Sequence, residues 1–406
     1  MPRGPRGKWS RYAPGTMSSL PASAPFSVDS LISQRALAID ASGIRRVFDL
    51  GAKLANPINL SIGQPDFPVP EAMKDAAIAA IRADRNGYTV TQGVPELQHA
   101  IWNHLNSTLG WSGPHDDLGL LVTSGTSGAL LLAFLALLNP GDEAIAADPF
   151  FVMYPQLGPI TGGRVVLCDT YPDFRLTAER IEAKITPRTK LVLLNSPSNP
   201  CGVVLSSDEI RDIVELCRRR GILLISDEIY DEFVYSDARE EGRFPTPARM
   251  TDQLLLIRGF GKSYGCTGWR LGYVTGPRRL IQEMAKLQQY TFVCAPSMAQ
   301  LGVAKAFDVD LGPFVRNYET RRDLVLDAFN GVANVARPGG AFYAFVEVPS
   351  RLGLSASDFV EQAIANSVLV IPGKVFSRRD THFRLSYAAP EPTLRKGLEI
   401  LRGLMG

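Results

Sequence analysis

Lys262 stands in RGFGKSYGCTGWR, among glycines and small polar residues directly after the apolar run LLLI at 254–257, and Arg270 follows eight positions later. Small neighbours let another molecule come close to the amine, and an amine kept neutral by burial is both a nucleophile and a proton carrier. Arginine offers a planar fork for two oxygens of one anion. Asp227 ends a second apolar run, ILLIS, where an ionised carboxylate is costly unless a cation or strong donors meet it. TSGTSGAL at 123–130 opens a helix whose free N–H groups and positive dipole end suit an anion, although Thr126 or Ser127 equally makes an ordinary N-cap. Asn199 in SPSNPCG reads as a polar ligand or as a turn residue before Pro200.

Five loops of this kind share one position. LLV precedes TSGTSGAL, EAIAA precedes DPFFVMYP, KLVLL precedes NSPSNPCG, ILLIS precedes DEIY, and LLLI precedes RGFGK. Strands apolar on both faces belong to a parallel sheet covered by helices, and ligands bind at the carboxyl edge of such sheets. Helices are expected from about Glu71 and from Pro95, after the irregular loop SIGQPDFPVP at 61–70. ALLLAFLALL at 129–138 has about half the length of a bilayer span and reads as a buried helix. From about Leu311 the pattern changes to a helix over 313–330 and alternating segments in NVARPGGAFYAFVEV, SVLVIPG and THFRLSYA.

The expected fold class is α/β: a large domain over 61–310 with a mostly parallel sheet, and a smaller α+β domain over 311–406 to which residues 29–60 add an N-terminal segment. Residues 1–28, with Arg3, Arg6, Lys8 and Arg11 and no acidic residue before Asp29, read as a disordered tail without a secretory signal; Met17 is a second plausible start.

Composition narrows the partners. A net charge of +2 over 406 residues, without a basic block of helical length beyond the N-terminus, argues against nucleic acid. Five scattered cysteines and four histidines without ligand spacing argue against a disulfide framework and a metal site, and fit a reducing cytoplasm. The chain lacks a Walker lysine and a G-x-G-x-x-G after a strand, which disfavours ATP and NAD.

Taken together, SIGQPDF, GYTVTQGVPEL, VTSGTSGAL, DPFFVMYP, NSPSNPCG, SDEIYDEF, GKSYGCTGWRLGY, PGGAFYAF and FRLSYA resemble, in order, the class I/II aminotransferases of pyridoxal-phosphate fold type I, from about Asp29 to the C-terminus. The resemblance implies that Lys262 holds pyridoxal 5′-phosphate as a Schiff base and shuttles the substrate α-proton. It implies that Asp227 faces the pyridine nitrogen, that Asn199 and Tyr230 bond the ring oxygen, and that Phe151 covers the ring. Gly125, Thr126, Ser127 and Arg270 would hold the phosphate, with Tyr88 reaching over from a second subunit of a homodimer. Arg384, the backbone near Gly63 and Asn199 would bind the substrate α-carboxylate.

Two departures from the family pattern bear on function. Gly259 and Gly261 stand where many relatives have serines, which removes a phosphate donor. Ser127 stands where one aspartate-specific subgroup has lysine, so a neutral or aromatic L-amino acid donor is expected, with a 2-oxo acid as acceptor and no membrane partner. Phe26, Ile44, Val47, Phe48 and Tyr290 are candidate side-chain pocket walls. The same scaffold also supports β-elimination or decarboxylation, or a non-enzymatic cofactor-binding regulator.

Overall fold

A computed structural model describes residues 27–39, 43, 47, 51, 54–111 and 117–406. Most of the expected tail, together with Phe26, Ile44 and Phe48, lies outside the described residues. Residues 27–38 form one compact unit holding a short turn at Val28–Leu31 and a helix at Gln34–Leu37, capped where the Ser33 hydroxyl accepts the Ala36 N–H. The rest of the chain is a second unit.

Twelve strands are described: β1 (Ile58–Asn59), β2 (Leu118–Ser124), β3 (Glu143–Asp148), β4 (Arg164–Asp169), β5 (Thr189–Asn195), β6 (Leu223–Asp227), β7 (Leu254–Gly259), β8 (Leu271–Pro277), β9 (Tyr343–Glu347), β10 (Val368–Leu369), β11 (Ile371–Pro372) and β12 (His382–Ser386). Seven of them make one sheet in the order β2-β8-β7-β6-β5-β3-β4, parallel except for β8, which runs against both neighbours. The five expected apolar runs all lie in this sheet. β4 and β8 join them unanticipated: β8 opens with the LGY that reads as the tail of the lysine motif, and β4 lies at an edge where its apolar run is less continuous.

Helices cover the sheet for legible reasons. Gly125–Leu137 is apolar all round and buries Leu130, Leu132 and Phe134. Ser207–Arg220 opens with a capping box between Ser206 and Glu209, buries Ile210, Ile213, Leu216 and Cys217 on one stripe, and ends in Arg218, Arg219 and Arg220 before Gly221 at φ 63°. Beyond the long helix Gly312–Phe329, β11-β12-β9 form an antiparallel sheet, and β1 pairs in parallel with β10. Ser386 N–H also donates to Leu60 O, so residues 58–60 are stitched to the C-terminal strands.

Candidate active site

β2, β3, β5, β6 and β7 end at one edge of the large sheet, and β8 begins there; in register, Asn195 lies beside Asp227, Asp227 beside Ile257, and Ser124 beside Leu271. At that edge a cavity of about 300 Å³ is lined by Gly63, Gly125, Thr126, Ser127, Phe151, Asn199, Asp227, Tyr230, Lys262, Arg270 and Arg384. Eleven residues chosen from sequence thus meet in one small-molecule-sized space.

Asp227 is buried at 2 % exposure. Its Oδ2 accepts the Tyr154 hydroxyl at 2.7 Å and its Oδ1 accepts the Ile229 N–H at 3.4 Å. Burial lifts its pKa to about 6, against the pull of Tyr154. Asn195 braces the neighbourhood, donating to Asp227 O at 2.9 Å and accepting the Asn199 N–H at 3.0 Å.

Lys262 follows β7 within the one-turn helix Phe260–Ser263, and its Nζ donates to Gly63 O. Burial, then the positive charges of Arg384 and Arg270, bring its pKa down to about 8. Arg270 holds a left-handed conformation at φ 54° and lays its guanidinium over the first turn of the helix Gly125–Leu137. A Cβ on Gly125, itself at φ 68°, would come within 2.7 Å of that guanidinium. An arginine fork and a helix N-terminus therefore face one small volume, a site suited to a phosphate.

Arg384 on β12 is a buried cation at 2 % exposure, and no carboxylate pairs with it among the described residues. It donates to Asn199 Oδ1 at 3.1 Å and Ser61 O at 2.9 Å, lies 4.5 Å from the centroids of both Tyr343 and Phe376, and leaves Nε without a partner. Burial pushes its pKa below the usual arginine value. The Tyr343 hydroxyl sits 3.1 Å from that of Tyr230 and would crowd any side chain at Gly63.

Tyr88, expected to reach into the site of a second subunit, does not line the cavity of its own chain; it is 89 % exposed on a loop held by Gln288 Nε2 to Thr91 O and by Gln300 Nε2 to Thr89 Oγ1. Two of the expected pocket walls need correction. Val47 packs in a separate apolar cluster with Phe174, Cys201 and Phe345, and Tyr290 faces solvent, so neither walls this cavity. The space a side chain would need at Gly259 is filled by Ile229 Cδ1 at 2.6 Å and Thr126 Cγ2 at 3.0 Å. Sequence reasoning missed Tyr154 and Tyr343. Both sit inside quoted motifs, DPFFVMYP and GGAFYAF: Tyr154 in the helix that follows β3 and Tyr343 at the start of β9.

The sequence pattern described as aminotransferase class I and II matches residues 55–401. The chain belongs to that family. A probable aspartate aminotransferase of Methanocaldococcus jannaschii is 34% identical, covering 92% of this chain and 99% of its own. An aromatic-amino-acid aminotransferase of Thermococcus litoralis is 30% identical over 91% of this chain and 96% of its own. Among solved structures, Thermus thermophilus aspartate aminotransferase with maleate superposes with a TM-score of 0.85 at 32% identity, covering 92% of this chain and 99% of that one. As a class I/II aminotransferase, the chain has the fold type I architecture, uses pyridoxal 5′-phosphate and acts on amino acids and 2-oxo acids. The aminotransferase cofactor fits the residues present: an amine whose pKa is lowered to about 8, a buried carboxylate with no cation paired to it among the described residues, and an anion cradle share one cavity. No helix among the described residues is long and apolar enough to cross a membrane.

Proposed function

We propose that this aminotransferase moves the amino group of an L-amino acid with a neutral or aromatic side chain to a 2-oxo acid in two alternating half-reactions. The observation that carries the reading is Arg384, a buried guanidinium with no carboxylate partner in the cavity that holds Lys262. A buried cation with a free Nε is matched by the planar α-carboxylate common to amino acids and oxo acids. Bound pyridoxal phosphate supplies an aldehyde carbon and an electron-withdrawing ring. In this reading Lys262 carries it, Asp227 faces its ring nitrogen, and Asn199 and Tyr230 meet its ring oxygen. Phe151 covers its face, and Gly125, Thr126, Ser127 and Arg270 hold its phosphate.

With its pKa near 8, Lys262 has a sizeable neutral fraction at ordinary pH, so its Nζ can take the proton from the substrate α-carbon and return it. Tyr154 keeps the Asp227 carboxylate oriented and favours its ionised form. Among the described residues the cations lining the cavity are Lys262, Arg270 and Arg384, and each is committed in this scheme, so none of these three is left for a second carboxylate on the substrate. That supports a neutral or aromatic donor; the aspartate aminotransferase names of several relatives favour the rival, a dicarboxylate.

A homodimer that shares its sites is part of the proposal. It is supported by Tyr88, Val90, Tyr290, Phe292 and Val293, exposed on two segments joined through Gln288 and Thr91. Tyr88 from a second copy would then reach the phosphate. Closure of residues 311–406 would bring Arg384 onto the substrate, and five free cysteines support a reducing, cytoplasmic setting.

The experiment is absorbance of the cofactor-loaded full chain as single L-amino acids are added without an oxo acid. Neutral and aromatic amino acids are expected to convert the lysine-linked cofactor band, a 2-oxo acid to restore it, and Lys262→Ala to lack the band. Response to aspartate alone would overturn the substrate class. Release of ammonia or carbon dioxide without a recoverable amine would overturn transamination.

A further inference from the structure

Directly behind Asp227 lies a second set of buried charges with no place in the chemistry above. Arg258, on β7 four residues before Lys262, is 4 % exposed and points away from the cavity. Its Nε and Nη2 donate to Glu228 Oε2 at 3.0 and 2.8 Å, and its Nε lies 3.2 Å from Asp231 Oδ2. Glu228 is the next residue after Asp227, and its other oxygen accepts Ser226 Oγ at 2.8 Å and Thr246 Oγ1 at 2.6 Å. Its N–H donates to Ile257 O at 2.8 Å. The loop that bears Asp227 and Tyr230 is thus fastened, through two side chains and one main-chain bond, to the strand that delivers Lys262.

We infer that Arg258 is a positioning residue: by gripping Glu228 and Asp231 it holds Asp227 and Tyr230 opposite Lys262 and offsets the negative charge that Glu228 places behind Asp227. The inference rests on the proposed role of Asp227 toward the cofactor. Arg258 and Glu228 touch neither cofactor nor substrate in that scheme, so the effect is transmitted through Asp227.

The charges facing each group determine the sign. Asp227 meets Tyr154 from the helix Met153–Thr161, Glu228 and Tyr230 from its own loop, and Lys262 and Arg270 across the cavity. Arg258 meets Glu228, Asp231 and Glu232 on the loop after β6, Tyr273 opposite it on β8, His104 from the helix Pro95–Leu109, and Arg249 from the turn Pro247–Arg249. Glu228 raises the proton affinity of Asp227. Without Arg258 that effect is uncompensated, whereas neutralising Glu228 leaves Arg258 free to depress it.

The test is binding of pyridoxal 5′-phosphate to the cofactor-stripped full chain, followed by its absorbance band across a pH series. Binding that needs ionised Asp227 fails on the acid side, at a midpoint that reports its proton affinity. Arg258→Met is expected to weaken binding about tenfold and move the acid midpoint to higher pH. Glu228→Gln is expected to move the midpoint to lower pH. Arg258→Lys keeps the charge but loses the fork, so binding weakens with the midpoint unchanged. Opposite shifts from the two neutralising variants distinguish charge from simple disruption of the fold, which moves both the same way. Should Arg258→Met fail to fold, the contrast between Glu228→Gln and Arg258→Lys decides alone. Equal midpoints across the variants would overturn the inference; a parent chain with no Lys262-dependent band would instead sink the functional reading.

Discussion

Arg258 and Arg384 are both buried, both on strands, and electrostatically opposite. Arg258 sits against Glu228 and Asp231; burial alone would push its pKa down, yet these carboxylates lift it above the ordinary value. Arg384 has neutral oxygens, two aromatic faces and an idle Nε, and its pKa falls. A buried cation whose donors are used belongs to the scaffold. One left without its anion marks the place where an anion is meant to arrive.

Exchange of each arginine for methionine tests that difference. Arg258→Met strands two buried carboxyl groups and is expected to cost about 3–5 kcal/mol of stability in chemical denaturation. Arg384→Met relieves an unpaired charge while losing its ring contacts, and is expected to move stability by no more than about 1 kcal/mol. Equal losses would erase the distinction.

Asp227 is the anionic counterpart of Arg384. In the folded chain burial makes it hold its proton up to about pH 6, well above the ordinary aspartate range. The stability from this tighter proton binding is fully present below about pH 4 and lost as pH rises through about 6. In the cofactor-free chain Asp227→Asn should therefore stabilise at pH 8, by on the order of 3 kcal/mol at most, with the gain vanishing near pH 4. Thermal melts across pH measure it.

For catalysis, Arg384→Met should raise KM for amino acids about 100-fold with cofactor binding intact, as steady-state kinetics and the absorbance band would show. The smallest effect is expected from Tyr154→Phe, which removes one bond worth about 1 kcal/mol to Asp227 and should move the acid limb of activity to higher pH.

The strands of the large sheet were legible wherever an apolar run met a turn, as ILLIS before DEIY and LLLI before RGFGK. β8 was hidden because its residues continue the lysine motif, and its antiparallel direction follows from the tight return through Cys266–Arg270, which leaves no room for a crossover helix. That eleven of the expected residues share one cavity was legible because motif order constrains them together. Tyr154, Tyr343 and Arg258 were not, since their importance lies in what they touch: an acid 73 residues away, a tyrosine 113 residues away and a glutamate 30 residues away. Pattern within a short window carries no record of such pairings. Tyr88 was legible as a motif residue expected to serve a second subunit, and it stands exposed outside the cavity of its own chain.

The stitching of residues 58–61 to the C-terminal strands has a bearing on biosynthesis. Gly63 meets Lys262 across 199 positions, and Ser61 meets Arg384 across 323. On the ribosome the first of these partners emerges long before the last, so the large sheet can assemble while the carboxylate clamp has yet to be translated. A chain released early could carry a complete lysine loop and no means of gripping a substrate.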